Sequence, residues 1–92
     1  MKYRLGLREI TVADVNAECP FMPEPEDYQM HVAAFADDFN LLEIVESAVV
    51  ENNSVIINLV EGVDIEQLRQ AGISIHQNYW DKLRTTGFEK IA

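Results

Sequence analysis

Apolar and polar residues alternate at the start of the chain, where Tyr3, Leu5 and Leu7 fall on one side of an extended segment. A period of two is typical of a strand with one solvated face, so residues 2–7 are predicted as a strand. A second strand is predicted over residues 54–60, a β-branched run bounded by turn residues. Continuous β-branched sequence of this kind indicates a central position in a sheet.

A polar capping residue followed three positions later by Asp, Glu or Gln marks three predicted helix starts. These pairs are Thr11/Asp14, Asn40/Glu43 and Asp64/Gln67. They predict helices over about residues 12–18, 41–51 and 64–71, ended by Pro20, by Asn52-Asn53 and by Gly72. The helix over 41–51 would bury Leu41 and Val49.

The pattern over residues 28–36 fits two structures. As a strand it places Tyr28, Met30, Val32 and Ala34 on one face, and as a helix it groups Tyr28, Val32, Phe35, Phe39 and Leu42. We take the strand as the prediction and the helix as the alternative. Residues 73–76 are predicted as a strand, and residues 78–86 either continue it or form a last helical turn.

These elements predict an α+β fold, with a small sheet of about four strands and two to three short helices packed on it. The 92 residues are enough for a single domain over 1–92 with one modest core. A single cysteine, Cys19, excludes an intramolecular disulfide framework. No stretch is apolar enough for a signal peptide or a membrane span, and a cytoplasmic location is expected.

Charge is strongly segregated along the chain, whose formal net charge is −9. No Lys or Arg occurs between Glu9 and Leu68, yet this stretch holds 14 of the 16 acidic residues, and all seven basic residues lie toward the ends. Either the ends fold back and neutralise the middle, or folding gathers the acids into one face made for a basic partner. Direct binding to nucleic acid or to an anionic membrane is disfavoured.

Motifs for catalysis or cofactor binding are lacking. The four glycines form no phosphate-binding loop, and no Cys-x-x-Cys or His-x-x-x-His spacing indicates a metal, so neither a cofactor nor a metal is predicted. A Cys19 nucleophile with His31 or His76 is considered, but a thiol at this position is better explained as a small buried hydrophobe. The carboxylates of residues 24–27 and 37–38 fall in predicted loops, where solvation keeps them from acid–base catalysis. No catalytic residue is predicted.

The residues predicted to bind a partner are acidic or aromatic: Glu24, Glu26, Asp27, Asp37, Asp38, Tyr79 and Trp80. Trp and Tyr dominate interface hot spots. Phe21 and Met22, in a proline-rich loop, are expected to tuck into the core, with an exposed contact patch as the alternative.

The predicted function is a non-catalytic acidic module that docks on a basic protein, with nucleic-acid-handling proteins among the candidates. Inhibitors of the immunity, anti-restriction or anti-defence type, which partly mimic nucleic-acid charge, work in this way. One alternative is a structural or adaptor subunit with an apolar Tyr79/Trp80 interface, and another is a small enzyme or ligand-binding domain. A homodimer is left open.

Overall fold

A computed structural model describes residues 1–91, which form an antiparallel sheet in the order β2-β3-β1-β4 with two helices. The strands are β1 (Lys2–Arg8), β2 (Val45–Glu51), β3 (Ser54–Leu59) and β4 (Arg84–Lys90), and the helices are α1 (Tyr28–Asn40) and α2 (Ile65–His76). Short 3-10 turns occupy Val12–Asp14, Pro25–Asp27 and Gln77–Tyr79. The predicted α+β class is confirmed, and the connectivity is that of a split βαβ unit. No helix within residues 1–91 has the length and apolarity needed to cross a lipid bilayer.

The core lies between the two helices and one face of the sheet. The predicted alternation in β1 is confirmed, because Tyr3, Leu5 and Leu7 are all buried. The helices contribute larger side chains, of which Phe35, Phe39 and Leu68 are completely buried. The opposite face of the sheet carries no helix, and it is there that Arg4 of β1 pairs with Glu89 of β4.

The segment from Tyr28 to Asn40 is a helix, so the strand predicted over residues 28–36 is wrong and the helical alternative is correct. The buried residues of α1 are Tyr28, Val32, Phe35, Ala36 and Phe39, which follow the helical spacing. Met30, which the strand would have buried, is 61% exposed. The aromatic residues Tyr28, Phe35 and Phe39, at i, i+7 and i+11 on one face of the helix, therefore outweigh the short alternation.

The helix predicted over residues 41–51 is wrong, because Val45–Glu51 forms β2. Asn52 and Asn53 do not stop a helix but form the two-residue turn of the β2–β3 hairpin, with Asn52 in the left-handed region at φ 55°. Leu41, expected in the core, is 82% exposed. The β-branched valines of this segment gain more as the neighbours of β3 than they would in a helix.

Only a 3-10 turn forms in the segment predicted as a helix over residues 12–18. The predicted capping contact exists, since the Asp14 carboxylate accepts a hydrogen bond from the Thr11 amide at 2.8 Å. Two residues later the Asn16 side chain accepts from the amides of Glu18 and Cys19 at 2.8 and 3.0 Å. Such side-chain bonds compete with helix propagation and close a turn instead.

The Asp64–Gln67 capping pair is confirmed, but α2 continues through Gly72 to His76, so the strand predicted over residues 73–76 is wrong. Gly72 is buried within the helix, where a Cβ would lie 3.4 Å from the Phe88 ring. Gly72 is therefore an interior residue of α2 that faces β4, and it does not end the helix. Gly87 likewise lies inside β4, with φ +113°.

The outer edge of β2 is closed by a side chain of α1. Asn40 donates to the Ala48 carbonyl oxygen at 2.7 Å and accepts from the Ala48 amide at 2.8 Å. The amide group of one asparagine thus takes the place of a neighbouring strand at this position. Natural sheets commonly protect edge strands against further pairing, and here a helix residue does so.

Candidate functional site

The connection between β1 and α1, residues 9–27, is the longest in the chain and is anchored at several points. Ile10 is buried, and Cys19 is completely buried. The Cys19 sulfur lies 3.9 Å from the carbonyl oxygen of Phe21 and 4.0 Å from that of Trp80. The thiol therefore packs the connection against the segment that follows α2, as predicted for a buried hydrophobe.

Asp14 ties the same connection to the sheet. Its carboxylate lies 2.7 Å from the Arg8 guanidinium and 4.0 Å from that of Arg84. The Arg8 hydrogen bond, together with the bond from the Thr11 amide, holds the pKa of Asp14 well below its usual range. The carboxylate is therefore charged whenever the domain is folded near neutral pH, and the connection stays anchored.

Arg84 is a buried cation beside the only tryptophan. Its guanidinium stacks on the Trp80 ring at 3.7 Å from the centroid and donates to the backbone oxygens of Trp80 and Leu83. The His76 ring contacts the Trp80 ring edge-on, with 5.7 Å between centroids. Trp80 is consequently held in one orientation while 40% of it stays exposed.

Phe21 and Met22 are exposed, so the expectation that they fill the core is wrong. Phe21 is 81% exposed and Met22 is 47% exposed. The flanking prolines restrict the backbone at this point, and the buried Cys19 fixes one end of the segment. A constrained loop therefore exposes an aromatic side chain to solvent. This exposure is unfavourable in water, and it is offset only when the side chain contacts a partner.

Acidic residues surround this apolar tip. An open depression of about 380 Å³ is lined by Phe21 and Met22 together with Glu18, Glu24 and Asp27. Glu18 also lines a second depression of about 430 Å³, which Trp80 borders. We call the six residues Glu18, Phe21, Met22, Glu24, Asp27 and Trp80 the loop surface. His31, Asp81 and Lys82 also line the first depression.

The structure brings together some of the predicted partner-binding residues and separates others. Glu24, Asp27 and Trp80 belong to the loop surface, and Glu26 is exposed on the adjoining 3-10 turn. Tyr79 is buried, and its hydroxyl donates to the Asp38 carboxylate at 2.7 Å, so this pair joins the end of α2 to α1.

Burial and the Asp38 hydrogen bond raise the pKa of Tyr79 to about 12, which keeps its hydroxyl a donor at neutral pH. Asp37 is exposed on α1, outside the loop surface. The sequence-based choice missed Glu18 and gave Phe21 and Met22 only as an alternative, exposed contact patch, and the exposed alternative is the correct one. The three prolines around Phe21 were the available signal that this residue could be held away from the core.

The sheet order converts charge segregation along the chain into segregation across the fold. The strands β2 and β3 and helix α1 contain no Lys or Arg, whereas every basic residue lies on β1, β4 or α2 or directly before β4. Within residues 1–91 only two of the fourteen mid-chain acids, Asp14 and Glu66, have a cationic group within 4.0 Å. The basic ends therefore leave most of the acidic middle unpaired.

The acids do not all form one face. Besides the loop surface, a depression of about 710 Å³ beside the start of α2 is lined by Glu46, Glu61 and Asp64. Residue 46 is the second residue of β2 and residue 61 follows β3, whereas the loop surface follows the end of β1. Because β1 and β3 are antiparallel, the start of β1 lies beside the end of β3. The end of β1 is at the other end of the sheet, so the two acidic depressions lie at opposite ends. Among residues 1–91, only the loop surface combines acids with exposed aromatic side chains.

The residues considered for a Cys–His pair do not converge. His76 is in α2, with its Nε2 atom 3.0 Å from the Leu83 carbonyl oxygen, while His31 is in α1 and lines the loop depression. None of the depressions described here is lined by two of the three residues Cys19, His31 and His76. Within residues 1–91 no three His, Cys, Asp or Glu side chains are placed to hold a metal ion.

Comparisons with protein-family models and with curated protein sequences give no match for this chain. Its function is therefore inferred from the geometry and charge of the loop surface.

Proposed function

We propose that the protein is a non-catalytic, acidic binding module whose loop surface docks on a basic surface of a partner protein and inhibits it. The observation that carries the proposal is the exposure of Phe21 at the tip of an anchored loop, with Glu18, Glu24 and Asp27 around it. None of these three carboxylates has a cationic partner within residues 1–91.

The two kinds of side chain supply different parts of the binding energy. An aromatic anchor that enters a pocket is the usual hot spot of a protein interface. Carboxylates around it select a partner of opposite charge and accelerate association, more than they add to affinity. Because Cys19 and Asp14 already fix the loop, little conformational entropy remains to be lost on binding.

The chemistry of this surface favours a partner with a basic cleft, such as a protein that handles nucleic acid. Spaced carboxylates on a rigid domain can occupy positions that phosphates otherwise take, and they release the same counterions. The proposal therefore includes inhibition by partial mimicry of nucleic-acid charge. A cytoplasmic site of action is part of the same proposal.

Affinity capture from extract of the native host tests the proposal. The tagged protein is expected to retain a basic protein that the Phe21→Ala variant retains about 30-fold less well, as loss of a hot-spot residue implies. Val12→Ala is the matched control, because Val12 is 78% exposed on the preceding turn and lies outside the loop surface. Equal capture by the Phe21 and Val12 variants would contradict the proposal.

One observation favours the adaptor alternative, in which the contact is apolar. Trp80 is 40% exposed, and Ile73, which lines the same depression, is 57% exposed. In that case Trp80→Ala would abolish assembly, and salt would change the affinity little. Capture that depends on Trp80 but is indifferent to ionic strength would favour this function over the inhibitor.

A further inference from the structure

The outer edge of β4 is open, unlike that of β2. The Ile91 amide donates to the Lys2 carbonyl oxygen at 2.9 Å, which fixes the alternation of the β1–β4 ladder. By that alternation Phe88 and Lys90 direct their backbone N–H and C=O groups away from β1. No hydrogen bond within residues 1–91 satisfies these groups, whereas Asn40 fills the corresponding position on β2.

An apolar groove of about 420 Å³ runs beside this edge, between α2 and β4. Leu5, Gly72, Ile73 and Phe88 supply its apolar lining, and Ile73 is 57% exposed. A strand added to β4 would direct every second side chain toward the helix side of the sheet. Those side chains would cover the groove and Ile73.

The distribution of charge indicates where a second copy of the chain can approach. The net charge of −9 makes two copies repel each other over most of the surface. The exception is the edge at β4, where α2 and β4 together carry three basic and two acidic residues and are therefore close to neutral. A second copy of the chain can therefore approach at β4 with the least repulsion.

We propose that two copies of the chain pair through β4, antiparallel about a two-fold axis at Phe88, and so join two four-stranded sheets. An isologous contact requires a self-complementary edge, and this register provides one. Lys90 comes to lie opposite Thr86 of the second copy, and Glu89 opposite Gly87, so no like charges face each other. The two Phe88 rings and the two Ile73 side chains close the paired grooves.

Sedimentation velocity over a concentration series into the high micromolar range tests this dimer. Ile73→Asp is expected to weaken the dimerisation constant about tenfold or more, because a carboxylate would be buried at each symmetric site. Leu41→Asp is the charge-matched control, since Leu41 is 82% exposed and precedes β2. Lys90→Pro is a second test, because it removes an amide that faces away from β1 together with the lysine side chain, and circular dichroism checks that each variant folds.

The dependence of dimerisation on salt concentration is an independent test. Screening reduces repulsion between two copies of equal charge, so the dimer fraction is expected to rise from low to moderate ionic strength. This is the opposite of the salt effect expected for a basic partner at the loop surface, and the two proposals can fail separately. A wild-type chain that stays monomeric throughout, a dimer that survives both Ile73→Asp and Lys90→Pro, or equal dissociation by Leu41→Asp would overturn the proposal.

Discussion

Replacement of Arg84 by Met is expected to lower the free energy of unfolding by about 3 kcal/mol, or the Tm by about 12–24 °C. The guanidinium donates to the backbone oxygens of Trp80 and Leu83 and stacks on the Trp80 ring, and the residue is only 6% exposed. Methionine fills a similar volume but supplies neither the donors nor the charge. Unfolding can be followed by the fluorescence of Trp80, the only tryptophan.

Arg8→Met is the matched control for this measurement. Arg8 lies opposite Arg84 in the β1–β4 ladder and also contacts Asp14, but its side chain is 45% exposed. Solvent screens the Arg8–Asp14 pair, so this substitution is expected to cost only a fraction of the Arg84 loss. Equal losses in the two variants would mean that the Asp14 pairing alone, and not the buried Trp80 contacts, anchors the loop surface.

Asn40→Ala is expected to cost about 2 kcal/mol, since it removes both hydrogen bonds to Ala48 and leaves the two backbone groups of that residue without their partner. The exposed β2 edge is also expected to make the variant more prone to aggregation. Asn58→Ala serves as the comparison, because the Asn58 amide makes a single side-chain bond, to Ser47 at 2.9 Å. Chemical denaturation of both variants measures the difference between their free energies of unfolding.

Asn40→Asp tests the geometry at this edge through its pH dependence. A carboxylate can accept from the Ala48 amide, but it cannot donate to the Ala48 carbonyl oxygen. Folding then favours the protonated acid, so its pKa in the folded state is raised, and the deficit relative to the wild type should shrink as pH falls. A deficit that grows on acidification would show that the Asn40 donor bond has no part in stability.

The sequence predicted the parts of the fold that depend on local pattern. The alternation in residues 2–7, the β-branched run of β3 and the Asp64–Gln67 cap all appear in the structure. Each of these signals is contained in a few consecutive residues, and no distant partner is needed to read it.

The errors arose where a tertiary contact gives a residue its role. Asn40 resembles a helix start, but its amide is used by Ala48 at the edge of the sheet. Gly72 resembles a helix end, but it lies inside α2 and packs beside Phe88 of β4. In each case the contacting residue lies on a strand, outside the helix that holds Asn40 or Gly72. The local sequence around either residue therefore could not reveal the contact.

The site was predicted in part for the same reason. Glu24, Asp27 and Trp80 were chosen for charge and residue type, and the structure adds Phe21 because its exposure depends on where Cys19 is buried. Tyr79 was chosen beside Trp80, yet it points to Asp38 and the core. Composition identified the kind of surface, and only the fold separated exposed aromatic residues from buried ones.

Binding of a basic partner by the acids of the loop surface can be measured with the captured partner after its purification. The Kd is expected to weaken about tenfold or more between low and high salt for the wild type. Neutralising Glu18, Glu24 and Asp27 to their amides should flatten this salt dependence, whereas Glu43→Gln, Glu46→Gln and Glu61→Gln together, an equal change in net charge, should preserve it. A salt dependence that is the same in all three proteins, or absent from the wild type, would contradict binding through the acids of the loop surface.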